Sequence, residues 1–89
     1  MPALKISPTA LSRELDGETV LVNLDTGMYF GLDEVGTVIW NHIQEGVTVE
    51  EIPAKLTETF EVEEDVARTD LEALIGELRE NGLVESDER

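Results

Sequence analysis

The chain has 89 residues, enough for one domain with one small core and too few for two. Its 40% hydrophobic and 30% charged residues describe a folding chain, and the absence of cysteine excludes disulfide staples, thiolate metal sites and cysteine nucleophiles. Six Lys and Arg against 21 Asp and Glu give a net charge of −15, which opposes approach to phosphate backbones and to anionic lipid.

The acid is uneven, with 6 acidic and 2 basic residues in positions 1–44 but 15 and 4 in positions 45–89. A field of that sign speeds encounter with basic or neutral peptides and disfavours anionic partners, and it also serves plain solubility. No apolar run approaches the ~20 residues of a membrane span, and Met1 to Ile6 lacks the tripartite pattern of a signal peptide. The expectation is a cytoplasmic protein with neither a membrane nor a nucleic acid as partner.

Pro2 and Pro8 make residues 1–9 extended or irregular. Leu11, Arg13 and Leu15 alternate with polar or small neighbours, and Asp16-Gly17 is a hairpin dipeptide that tolerates positive φ. Val20, Val22 and Leu24 alternate with Leu21 and Asn23, and Asp25-Thr26-Gly27 turns the chain into Met28-Tyr29-Phe30-Gly31-Leu32. The pattern predicts a three-stranded antiparallel meander.

Asp33 is placed as a helix N-cap with Glu34 in the first turn, and Val35, Val38, Ile39, His42 and Ile43 form an apolar stripe beside Trp40 that ends at Gly46. Thr48 and Glu51 have the spacing of a capping box for a second helix with Ile52, Leu56 and Phe60 inward. Pro53 then falls beyond the free first turn, so that helix either begins a residue or two later or bends. A third helix is predicted from about Glu64 to Asn81, built on Ala67, Leu71, Leu74, Ile75 and Leu78 and closed by Asn81-Gly82. Leu83, Val84 and Glu85 form a brief return strand or pack under the sheet.

Together these elements give an α+β domain over residues 4–85, winged-helix-like, with the three-stranded antiparallel sheet first and three helices after it, and a mobile tail at 86–89. Winged helices commonly bind DNA, but the third helix carries Glu64, Asp65, Asp70, Glu72, Glu77 and Glu80 against Arg68 and Arg79. An acidic winged-helix regulator working through protein contacts, or an acidic inhibitor that mimics DNA, is consistent with that surface.

Catalysis finds no support. His42 has no second imidazole and reads as a helix histidine satisfied by its surroundings. Asn23, Asp25, Gly27 and Glu34 imitate a calcium loop in outline, but Met28 stands where the sharp turn demands glycine. Ser and Thr lack a base partner, no glycine-rich phosphate loop occurs, and no metal or cofactor is expected. The distinctive segment is Met28 to Leu32, the last strand of the meander and so an edge, which has no charge, proline or other blunting device. The first strand is protected by Lys5, Pro8 and Arg13. A bare edge accepts an extended peptide as a further strand, unless it is covered by the N-terminal segment, by the third helix or by a second copy of the chain.

The segments GMYFGLDEVGTVIW, GVTVEEIPAKL and DLEALIGELRENGLVE, in that order and spacing, resemble the PqqD-like domains, the recognition elements for ribosomally made peptides. The form YFGLDEVGTVIW is most similar to the small recognition proteins of lasso peptide biosynthesis, although Pro53 departs from the usual second helix. The resemblance implies a non-catalytic adaptor that binds the leader of a precursor peptide and presents it to a leader peptidase and a macrolactam cyclase. A chaperone for a radical-enzyme pathway is the other role the family offers. Carried over residue by residue, the resemblance implies that the backbone of Met28, Tyr29, Phe30 and Gly31 pairs with the leader. Val66, Asp70, Leu71 and Leu74 correspond to the helix wall of the groove, where Leu71 and Leu74 serve equally well as core, and Asp70 either caps a leader donor or basic side chain or is a solvated carboxylate or one bonded internally to Arg68 or Thr69.

The charge balance carries its own test. In a gel-shift titration with non-specific duplex DNA at low salt the protein should retard no DNA, because each phosphate contact requires a cation that this surface does not cluster.

Overall fold

A computed structural model describes residues 4–85. The expectations for Pro2 and for a tail at 86–89 fall outside the described residues. The element order is β1 (Lys5–Ile6), β2 (Ala10–Leu15), β3 (Glu18–Asn23), β4 (Tyr29–Leu32), α1 (Glu34–Gln44), α2 (Ile52–Thr59), α3 (Glu64–Glu80) and β5 (Val84–Glu85).

The meander is present with sheet order β2-β3-β4, both pairs antiparallel. Leu15 pairs with Glu18, so Asp16 and Gly17 alone span the first turn, and their φ values of 56° and 81° are the positive pair that a type I′ turn requires. On β3 the residues that face inward are Thr19, Leu21 and Asn23, all buried. The more apolar set that alternates with them points outward, and Val20, Leu11 and Leu15 are exposed. A single polar pair explains part of this choice, because Thr19 Oγ1 donates to Thr37 Oγ1 at 2.9 Å and fastens the sheet to α1.

Within residues 4–9 the chain is extended at Lys5 and Ile6. Lys5 and Ile6 pair antiparallel with Glu85 and Val84, and Ser7 N donates to Leu83 O at 3.0 Å, so the two ends of the domain close on each other. The return strand therefore exists, but it joins β1 and not the meander. Lys5 belongs to that second ribbon and Pro8 to the turn before β2, which leaves Arg13 as the one protecting residue inside β2.

Asp33 caps α1 as expected, its Oδ1 accepting from Gly36 N at 2.8 Å. The capping box at Thr48 does not form. Glu51 N donates to Thr48 O at 3.0 Å as a backbone turn, Glu51 itself is the N-cap without a side-chain bond, and α2 starts at Ile52. Pro53 thus sits in the first turn, where its missing N–H costs nothing, and α2 is neither broken nor bent by it. His42 is not hydrogen-bonded either. Its buried Nδ1 lies 3.6 Å from Glu45 Oε1, too far for a hydrogen bond, and has no other partner among the described residues.

Two buried groups form the core. Ile39, Ile43, Ile52, Leu56, Ala67, Leu71 and Ile75 join the three helices. Leu21, Leu32, Trp40, Leu78, Leu83 and Val84 join the sheet to α1, the end of α3 and β5. The end of α3 is held by Asn23, whose Nδ2 donates to Asn81 O at 2.8 Å while its Oδ1 accepts from Asp25 N at 2.9 Å. Gly82 makes room for that clasp: its φ is +71°, and a Cβ there would lie 2.8 Å from Asn23 Nδ2.

Gly82→Ala is therefore expected to destabilise more than Gly46→Ala in urea unfolding. Both lose ~1–2 kcal/mol for a left-handed residue, but only Gly82→Ala also displaces a partly buried hydrogen bond worth about 1 kcal/mol, since the space around Gly46 is open.

Candidate functional site

The geometry of the site follows from the β3–β4 register. Asn23 N donates to Met28 O at 2.9 Å, and Leu21 pairs with Phe30 and Thr19 with Leu32. In an antiparallel ladder hydrogen-bonded and open pairs alternate, so Phe30 and Leu32 spend their backbone groups on β3. The N–H and C=O of Tyr29 and Gly31 are left directed away from the sheet. They form the free edge, because among the described residues β4 has no strand on its other side.

That edge borders a cavity of about 520 Å³. Phe30, Gly31 and Leu32 of β4 form one wall, and Asp33, Val35, Gly36 and Ile39 form the end where the chain turns into α1. The opposite wall is α3, which presents Asp70, Ala73, Leu74 and Glu77 at helical spacing. The floor is apolar, the small Ala73 lets a chain approach the helix closely, and the three titratable groups on the lining are all carboxylates. An extended polypeptide entering here gains main-chain hydrogen bonds from Tyr29 and Gly31 and buries alternate side chains against Phe30 and Leu74.

The residues singled out in the sequence divide into separate places. Phe30, Gly31, Asp70 and Leu74 meet at the cavity. Met28 precedes β4 and is exposed, while Tyr29, 74% exposed, turns its ring to the outer face of the sheet beside Leu11, Leu15, Val20 and Val22. Tyr29 therefore offers the cavity its backbone and not its ring. Val66 is 48% exposed in the first turns of α3 and does not line the cavity. Leu71 is 1% exposed within the helical core, so it supports the wall from behind.

Sequence reasoning missed Asp33, Val35, Gly36, Ala73 and Glu77. The α3 members had a usable signal, because Ala73 and Glu77 follow Asp70 at i+3 and i+7 and share its face. Gly36 had none. A Cβ there would meet Leu32 Cβ at 3.2 Å, so its smallness allows α1 to start tight against the end of β4. Among the described residues no group of three or more His, Cys, Asp or Glu side chains is arranged to hold a metal ion, and no helix is long and apolar enough to cross a membrane.

Fold and cavity together define a small winged-helix-like α+β domain with an open strand edge beside an apolar groove. The family profile described as coenzyme PQQ synthesis protein D (PqqD) matches residues 18–84. The chain belongs to the PqqD family. It is similar to the solved structure of TbiB1 in complex with the TbiA(beta) leader peptide, at 36% identity over 96% of this chain and 99% of that one, with a TM-score of 0.88. It is also similar to a lasso peptide synthetase B1 complexed with the leader peptide, at 27% identity over 92% and 96% of the two chains, with a TM-score of 0.84. No curated protein sequence matches it.

The division of labour on α3 is measurable. Leu71→Ala should cost about 2–5 kcal/mol in chemical denaturation, as large-to-small core changes do, whereas Leu74→Ala, at a half-buried position on the cavity wall, should cost distinctly less.

Proposed function

We propose that this protein is a non-catalytic adaptor that captures the leader of a ribosomally synthesised precursor peptide and presents it to a leader peptidase and a macrolactam cyclase. The observation that carries this reading is the free β4 edge opening onto the 520 Å³ groove, within a fold shared with two solved leader-peptide complexes. The leader adds as a fourth strand of the meander, pairing with the outward backbone groups of Tyr29 and Gly31, and its alternate side chains enter the groove against Phe30 and Leu74. Met28 flanks the paired segment, Asp70 borders it, Leu71 stiffens the helix behind it, and Val66 meets it only where the leader runs beyond the cavity.

Binding alone performs the work of such an adaptor. Holding the leader in one register raises the effective concentration of the attached core peptide at an enzyme bound to the same complex, by the same arithmetic as any tethered pair. No reacting group is needed in the groove. The family description also names coenzyme PQQ synthesis, so delivery to a radical-enzyme pathway is the second reading.

The test is fluorescence anisotropy with a labelled synthetic leader from the precursor encoded beside this chain. Saturable binding is expected with the wild-type protein. Phe30→Asp should weaken it at least ~10-fold, because a charge is then buried against the incoming strand, while helicity by circular dichroism stays near that of the wild type. Equal affinity of the variant rejects the groove, and absence of wild-type binding rejects the adaptor role. A PQQ-type leader that binds more tightly than a lasso leader moves the protein to the second pathway.

A further inference from the structure

We infer that the groove selects a leader carrying a lysine or arginine among its groove-facing side chains, held between Asp70 and Glu77, next to an apolar residue seated against Phe30 and Leu74. This inference rests on the leader-binding reading and specifies the peptide that the site takes.

Solvated carboxylates are abundant on this chain, and acidity by itself marks nothing. Asp70 and Glu77 differ from the rest in position. Both line the cavity on the wall opposite the strand edge, with Ala73 and Leu74 between them. Neither side-chain carboxylate has an ion-pair or hydrogen-bond partner among the described residues, although Arg68, on the same helix, is paired with Glu64 at 3.1 Å. Among the described residues no Lys, Arg or His lines the groove. The remaining cations of the described chain sit elsewhere: Lys5 on β1, Arg13 on the outer face of the sheet, Lys55 on α2 and Arg79 in the last turn of α3.

The lengths agree with a strand as occupant. Seven helical residues separate Asp70 from Glu77, a rise of about 10 Å at 1.5 Å per residue, and three residues of an added strand cover about the same distance at 3.3 Å each. Groove-facing side chains recur every second residue, so a long basic side chain placed within that span reaches one or both carboxylates while its neighbour two positions away meets the apolar floor. Entry of the strand removes water from the wall, which strengthens an ion pair formed there and penalises an acidic leader that leaves like charges facing each other. A carboxylate pair that loses water when the groove is covered carries a desolvation cost, and a cation offsets it more strongly than a neutral donor does.

The experiment is a double-mutant cycle by anisotropy. Wild type, Asp70→Asn, Glu77→Gln and the double variant are titrated with the labelled leader and with a leader in which each Lys and Arg is replaced by Gln, at two salt concentrations. The double variant should bind the natural leader about 5- to 30-fold more weakly, with a flatter salt dependence, and should bind the Gln leader no worse than the wild type does. Glu58→Gln, which removes the same charge from the exposed face of α2, should leave affinity unchanged. Equal loss with Glu58→Gln reduces the effect to the overall field of the −15 chain and overturns the inference. So does a leader that binds tightly without any basic residue, or an affinity unmoved in the double variant; both leave the adaptor reading standing. Failure of the wild-type protein to bind any leader removes that reading, and the inference with it.

Discussion

The architecture depends on one strand, β3, that is bonded on every side. Its two edges are paired to β2 and β4, and each of its three inward residues makes a different attachment to the helical layer. Thr19 bonds Thr37 on α1, Leu21 is 0% exposed against Trp40 and Leu78, and Asn23 reaches the end of α3 through Asn81. Two of these attachments are hydrogen bonds, the Thr19–Thr37 bond buried and the Asn23–Asn81 bond partly so, and both fix direction as well as distance. Sliding β3 by one residue turns Val20 and Val22 inward and strands all three attachments.

With β3 fixed, β4 is fixed on one side only. That asymmetry generates the site. The ladder consumes the backbone groups of Phe30 and Leu32 and leaves those of Tyr29 and Gly31 without partners, while Asp33 and Gly36 hold the start of α1 close behind the strand. The Asn23 clasp anchors the end of α3 to the sheet, and the Asp70–Glu77 face of that helix is separated from β4 by the cavity. The result is an edge that the fold leaves open beside an apolar wall, an arrangement that soluble domains ordinarily cover or blunt with charge.

Winged-helix-like architecture does not by itself select a partner. A helix and a sheet of this arrangement are indifferent to partner; charge and edge decide. With the acid concentrated in the helical half and the unpaired edge facing its own groove, polypeptide is the ligand that both features favour.

Much of the fold was legible locally. Asp16-Gly17 announces its turn because two consecutive positive φ angles admit few residue types, and Asp33 announces its helix because an N-cap needs a short acceptor side chain. The capping box at Thr48 misled because the Thr and Glu spacing is also compatible with a backbone turn, and Pro53 settles into the first turn once the helix starts at Ile52. The pairing of Lys5–Ile6 with Val84–Glu85 left no local trace, since two residues per strand carry no periodicity and the partners lie at opposite ends of the chain.

For the site, the sequence by itself determined the uncharged strand that ends at Leu32, the acidic third helix and the family, since each is a property of residue types in order. Tertiary structure decided which of those residues share a space. It placed Leu71 in the core and Tyr29's ring on the outer face, and it brought Asp33, Gly36, Ala73 and Glu77 to the groove. The reason is physical: alternation and helical spacing assign residues to faces, but the facing of one element toward another is set by buried attachments such as Asn23 to Asn81, which join positions 58 residues apart.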